Sequence, residues 1–344
     1  MVENFWGNLH VQKALEGMIE RERIPQTMLF AGLEGLGKAT LARRFAARLL
    51  DHAERIERDD LSLDENQALI AGREKLPAEK RNDDPLVFSS HPDFLTFPPE
   101  GPLRQIGIPQ MRLLKERAQF KPLKGSRRVF LIDQADRAGE QAANSLLKIL
   151  EDPPDHLILI MTAENVYDLL PTIRSRSVVL NFSPLTNEDM KTFAAARGLD
   201  NAERRIALSA GSPGVAASLD IELFQKRRAS MVALLKTGAG AASYGSWLPV
   251  SEALGRSKSE KLELHLRLLY DLLRDITMLR EGGTAIRNFD LRSELAALAQ
   301  RVSRRWIIES VKGVDEIAGL LRRNIQKNIA LDGLLMRMRR ALQT

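Results

Sequence analysis

A glycine-rich segment early in the chain has the spacing of a phosphate-binding loop. It reads G-L-E-G-L-G-K and fits the pattern G-x-x-x-x-G-K. Gly32, Gly35 and Gly37 let backbone N–H groups close around phosphate oxygens, and Lys38 adds a positive charge. The motif usually continues with serine or threonine, whose hydroxyl binds magnesium, but the next residue is Ala39. The segment predicts a nucleotide-binding loop that is degenerate at its metal position.

The following Thr40 completes this candidate nucleotide-binding set, although it lies one residue out of register. Successive helical residues point in different directions, so its hydroxyl does not replace the missing one. We therefore expect magnesium-ATP to bind less well, and no cofactor to be required. Two alternatives stay open, a loop that holds ATP or ADP and a glycine-rich turn without a ligand.

A second signal is the apolar run V-F-L-I that ends in Asp133 and Gln134. A carboxylate at the end of a buried strand is the second metal-holding element of such nucleotide sites. Where a hydrolase of this kind places a glutamate base, Gln134 cannot accept a proton from water at neutral pH. Asp133 also has a simpler interpretation as the cap of a strand end. Together with Ala39, this Walker B-like pair predicts a site that no longer hydrolyses nucleotide.

The composition is that of a globular chain of two or three domains. Of 344 residues, 28% are charged and 44% hydrophobic, and the net charge of +6 is a mild basic bias. The absence of cysteine excludes disulfides and thiolate metal sites and fits a reducing cytoplasm. No apolar run of about eighteen residues and no basic, then apolar, amino terminus is present, so we expect neither a membrane span nor a signal peptide.

The order of the elements predicts an α/β domain followed by helices. Strand-like runs at 28–30, 94–97, 129–133, 157–162 and 177–182 alternate with helical stretches, as a parallel sheet requires. Ala143, Leu146, Leu147 and Leu150 are spaced to form one buried helical stripe. The expected domains are 1–183, with a charged, partly helical insertion at 51–85 whose tip is flexible, 184–240 and 241–344.

In this order, the motifs resemble the delta-prime subunits of bacterial DNA polymerase III, a clamp-loader family of the AAA+ superfamily. Beside the loop, they are H-P-D-F at 91–94, V-F-L-I-D-Q-A-D at 129–136, A-N-S-L-L-K-I-L-E-D-P-P at 143–154, L-L-P-T-I-R-S-R-S at 169–177 and G-S-P-G at 211–214. The resemblance implies a RecA-like AAA+ P-loop domain with a parallel sheet, a helical lid, and an all-α collar that oligomerises.

The resemblance also implies a role for Arg176. In this family an arginine of the S-R-C element reaches the γ-phosphate held by a neighbouring subunit, and here the element is S-R-S. Two further departures concern the lid and the insertion. Val215 stands where active relatives carry a phosphate-contacting arginine, and the four zinc-binding cysteines of many relatives are absent. We therefore expect no zinc and no other metal, and an insertion held by other means or left mobile.

The implied function is that of a catalytically silent clamp-loader subunit in DNA replication, part of a polymerase holoenzyme. It would supply Arg176 as an arginine finger in trans, and the implied partners are the ATPase and delta subunits, the sliding clamp and primed DNA. One alternative is an active clamp-loader ATPase. Another is a DNA-binding accessory that uses the AAA+ fold without hydrolysis.

Overall fold

The computed structural model describes residues 4–256, 262–320 and 325–343, which form two compact units. Unit 1 comprises Met1–Ala202 and Gly211–Ala217, and unit 2 comprises Glu203–Ala210 and Ser218–Thr344. Residues 184–240, the expected lid, contribute to both units. The division into three domains therefore remains a prediction.

Unit 1 is built on one six-stranded sheet. Its strands are β1 (Thr27–Ala31), β2 (Phe88–His91), β3 (Phe94–Phe97), β4 (Arg128–Ile132), β5 (Leu157–Ala163) and β6 (Val178–Asn181). Their order is β2-β3-β4-β5-β1-β6, with β2 antiparallel to β3 and every other neighbouring pair parallel. The sequence prediction contained all of these strands except β2. Because β1 lies inside the sheet, the loop that follows it emerges between β5 and β6.

Helices cover both faces of this sheet. They are α1 (Leu9–Glu20), α2 (Lys38–Leu50), α3 (Ala53–Glu57), α4 (Asp64–Glu74), α5 (Ala78–Asp83), α6 (Ile108–Ala118), α7 (Glu140–Glu151), α8 (Pro171–Arg174) and α9 (Asn187–Ala196). Strand side chains alternate between faces, so Met28 and Phe30 pack with α1 and α2, whereas Leu29 packs with α6 and α7. Burial on both faces explains why the strands read as apolar runs. In α7 the predicted stripe is buried except for half-buried Leu147, and Ile149 is buried as well.

Ion pairs anchor the charged insertion, which folds as α3, α4 and α5. Arg43 on α2 is 1% exposed and pairs with Glu57, 3.6 Å away, and with Asp60. Arg73 on α4 pairs with Glu100 at 2.8 Å. Within the described residues, no group of three histidine, aspartate or glutamate side chains is placed to hold a metal ion. Buried arginine–carboxylate contacts thus connect the insertion to the sheet domain.

In its described part, unit 2 contains helices and 3-10 turns. Its helices are α10 (Ala202–Ser209), α12 (Ile221–Gly238), α13 (Tyr244–Arg256), α14 (Leu262–Arg280), α15 (Arg292–Arg301), α16 (Arg304–Leu320) and α17 (Lys327–Leu342), while α11 (Pro213–Ser218) begins in unit 1. Trp247 and Trp306 are fully buried in one core. None of the helices described has the length and apolar character needed to cross a membrane. The predicted fold class is confirmed as an α/β domain with a mainly parallel sheet, followed by helices.

Candidate functional site

The predicted phosphate loop joins β1 to α2 and has the backbone conformation that its glycines allow. Gly32, Gly35 and Gly37 have φ angles of 147°, 74° and 83°, in the region that favours glycine. Gly37 is the N-cap residue of α2, so the loop ends at the positive end of the helix dipole. Local geometry therefore retains the form of an anion cradle.

Lys38, the first residue of α2, is directed into the loop. Its side chain is buried, and Nζ donates hydrogen bonds to the carbonyl oxygens of Gly32, at 2.5 Å, and Leu33, at 2.7 Å. Burial lowers the pKa of Lys38, while the charges of Glu164 and Asp133 act in the opposite direction. The Lys38 ammonium group thus forms hydrogen bonds to the loop that precedes it.

The magnesium position offers an apolar side chain. Ala39 is partly buried and packs against the core formed with α1 and α2. Thr40 follows on α2, one residue beyond the position where the motif places its hydroxyl. The predicted role of Thr40 in nucleotide binding stays a prediction.

The end of β4 approaches this loop with a hydrogen-bonded triad. Thr162 donates from Oγ1 to Oδ1 of Asp133 at 2.6 Å, and the same hydroxyl accepts the N–H of Gln134 at 2.8 Å. Burial raises the pKa of Asp133, whereas the Thr162 hydrogen bond and the Lys38 charge lower it. Gln134 has a φ of 55°, which is uncommon outside glycine. The structure thus brings Asp133, Gln134 and Lys38 together at one end of the sheet.

Arg176 lies at the other end of the sheet. It precedes β6, whose Val178 pairs in parallel with Met28 of β1, whereas the phosphate loop follows β1. In a parallel sheet, residues that precede a strand and residues that follow one lie at opposite ends of the strands. A strand of four residues separates these ends by about 13 Å. Arg176 is therefore kept away from the phosphate loop of its own chain.

The Arg176 side chain is held at the surface. Its Nη1 donates to the carbonyl oxygen of Thr172 at 3.2 Å, and its Nη2 lies 3.3 Å from Oε1 of Glu151. The Arg176 side chain is 37% exposed and the Glu151 side chain 56%. Arg174, two residues earlier, instead has its guanidinium 5.0 Å from the centre of the Tyr167 ring.

The sequence prediction missed the residues that cover the phosphate loop. Phe5 lies against Gly37, where an added Cβ would be 2.7 Å from its Cε2 atom. Gly214 donates its N–H to the carbonyl oxygen of Gly35 at 2.8 Å, and Ser212 donates from Oγ to the carbonyl oxygen of Glu34 at the same distance. The G-S-P-G motif was a visible signal for the second contact, but nothing in the sequence marked Phe5.

Comparisons with known proteins show that the chain is similar to subunits of bacterial DNA polymerase III. A family model described as DNA polymerase III, delta subunit, matches residues 79–186. The delta' subunit of DNA polymerase III from Escherichia coli is 27% identical over 260 residues, which cover 74% of this chain and 76% of that protein. The delta' subunit from Pseudomonas aeruginosa is 31% identical over 59% of this chain and 58% of its own length.

The gamma/tau subunit of Mycobacterium tuberculosis is also similar. It is 31% identical over 191 residues, which cover 55% of this chain and 30% of that relative. This chain therefore matches less than a third of the length of the gamma/tau relative.

Proposed function

We propose that this chain, which is related to the delta-prime subunits of bacterial DNA polymerase III, is a catalytically silent clamp-loader subunit. Arg176 completes the ATP site of a neighbouring ATPase subunit and thereby helps to load the sliding clamp onto primed DNA. Unit 2 serves as the collar that joins the other subunits, including delta. Catalysis thus occurs in trans, on a triphosphate that another chain binds.

The placement of Arg176 carries this proposal. Arg176 lies at the amino-terminal ends of the strands, away from the phosphate loop of its own chain. A phosphate that Arg176 contacts therefore belongs to another molecule. A guanidinium group suits this role because it bonds to phosphate oxygens in a bidentate way and stabilises the charge that develops during phosphoryl transfer.

The contact with Glu151 does not prevent such a role. Both side chains are substantially exposed, and ion pairs of this kind contribute only about 0–1 kcal/mol. A triphosphate carries more negative charge than one carboxylate. The guanidinium can therefore exchange Glu151 for a phosphate when a neighbouring subunit docks.

The residues at the chain's own phosphate loop support the proposal that it does not hydrolyse ATP. Ala39 has no side-chain oxygen for magnesium, and Gln134 cannot act as a general base. Without the hydroxyl that binds magnesium and without a general base, the loop lacks main contributors to hydrolysis.

The alternative function is that of an active clamp-loader ATPase. Steady-state ATP hydrolysis by the purified chain separates the two functions. We expect a turnover at least about 100-fold below 1 per second, the low end of typical enzyme rates. A turnover near 1 per second that is abolished by Lys38→Ala would establish the active ATPase instead.

A further inference from the structure

A nucleotide with magnesium is the ligand that a P-loop fold implies, and the residues present do not fit it. Metal coordination fails at Ala39, whose methyl group packs into the core. The ammonium group that should meet the phosphates is bonded to the carbonyl oxygens of Gly32 and Leu33. Both departures are internal to the loop and its helix.

Phe5 packs against Gly37, the residue at the amino terminus of α2. An added Cβ at Gly37 would lie 2.7 Å from Cε2 and 3.0 Å from Cζ of Phe5, so the ring edge is in van der Waals contact with Gly37. Gly37 caps α2, and a phosphate cradled by the helix amino terminus needs the space in front of this residue. The guanidinium carbon of Arg44 lies 6.0 Å from the centre of the Phe5 ring, and the ring also packs against the core below.

The turn that contains Ser212 and Gly214 covers the other side of the loop. In addition to the two hydrogen bonds to Glu34 and Gly35, the backbones of Gly35 and Gly214 are in direct contact. An added Cβ at Gly214 would lie 2.9 Å from Cα of Gly35, and one at Gly35 would lie 2.8 Å from the nitrogen of Val215. Glycine at both positions is what permits this approach.

We infer that the phosphate cradle is closed by the chain itself, with Phe5 as its plug. The phosphate loop contacts both the amino-terminal segment and the 211–215 turn and so connects them to the sheet. A subunit that fails to hydrolyse could still hold ADP permanently, whereas a plugged cradle binds no nucleotide. This inference concerns binding and does not depend on the action of Arg176 in trans.

Calorimetric titration of the full chain with ADP, and separately with inorganic pyrophosphate, tests the plug. Magnesium is omitted, because Ala39 offers it no ligand. Wild-type protein should bind either ligand more weakly than about 10 mM, and Phe5→Ala should bind pyrophosphate at least roughly tenfold more tightly. Adding Lys38→Ala to Phe5→Ala should remove the gain, because a freed cradle needs the ammonium charge.

Trp6→Ala is the matched control. The Trp6 ring packs edge-on against Phe193, with centroids 5.1 Å apart, so its removal should not open the cradle. Micromolar ADP binding by the wild-type chain would overturn the inference. So would a folded Phe5→Ala variant that binds pyrophosphate no better than wild type.

Thiol labelling gives a second test that does not require Phe5→Ala to fold. The chain contains no cysteine, so Phe5→Cys and Leu9→Cys each carry a single thiol. Leu9 is 61% exposed and reports free access. We expect labelling of the Phe5→Cys variant to be roughly tenfold slower than labelling of the Leu9→Cys variant, since access limits thiol reactivity. Equal rates would show that position 5 does not cover the loop.

Discussion

Replacing Arg176 with alanine is expected to lower DNA-stimulated ATP hydrolysis about 10³-fold at the site that this residue completes, while the subunits still assemble. The rate falls because, in the transition state, no guanidinium group stabilises the negative charge on the transferred phosphoryl group. Single-turnover hydrolysis by the reconstituted assembly measures this step without interference from product release. Size-exclusion chromatography of the same sample checks that the subunits remain associated.

Two variants make the Arg176 result specific. Arg174→Ala removes a nearby guanidinium that stacks on Tyr167, and it should leave the hydrolysis rate nearly unchanged. Arg176→Lys keeps the charge but loses the bidentate fork, so its rate should fall between those of wild type and Arg176→Ala. Equal rates for all four proteins would remove Arg176 from the neighbouring site.

The largest effect on stability is expected at Asp93 of the H-P-D-F motif. Its side chain is fully buried, and its carboxylate accepts the N–H groups of Leu123, at 2.9 Å, and Lys124, at 2.8 Å. The same carboxylate lies 3.5 Å from Nε of Arg128, which is also buried. Asp93→Ala leaves that arginine uncompensated and two backbone donors without their partner. We expect a loss of about 3–5 kcal/mol in the free energy of unfolding, measured by urea denaturation.

The double variant Asp93→Ala with Arg128→Met tests the cause of this loss. If the unpaired charge dominates, the double variant is more stable than Asp93→Ala alone, because methionine needs no partner. Asp155→Ala changes an exposed aspartate of the same unit and should cost less than about 0.5 kcal/mol. A cost at Asp93 no greater than that at Asp155 would contradict the assignment.

The sheet domain could be predicted in outline because its signals are local. Glycine spacing and an apolar run on either side of the loop indicate β1 and α2, and the structure has both. The paired prolines after α7 likewise mark its end. In contrast, β2 is short and has an exposed centre, so its residues carry little apolar pattern, and its pairing with β3 supplies what the local sequence lacks.

Features that depend on distant residues were not predictable in the same way. Composition showed that the insertion is charged, but which charges pair depends on how Arg43 and Arg73 are buried. The contacts that cover the phosphate loop could not be predicted for the same reason, since Phe5 and Gly214 come from opposite ends of unit 1. The motif predicted a degenerate site, and only the fold shows that Phe5 contacts Gly37.

The central claim is that this chain acts through Arg176 and not through its own loop, and one paired assay tests it. ATP hydrolysis is compared for assemblies that contain Lys38→Ala and Arg176→Ala versions of this chain. We expect the Lys38→Ala assembly to hydrolyse ATP within about twofold of the wild-type rate and the Arg176→Ala assembly to be strongly impaired. The opposite pattern, a loss with Lys38→Ala and none with Arg176→Ala, would contradict the claim.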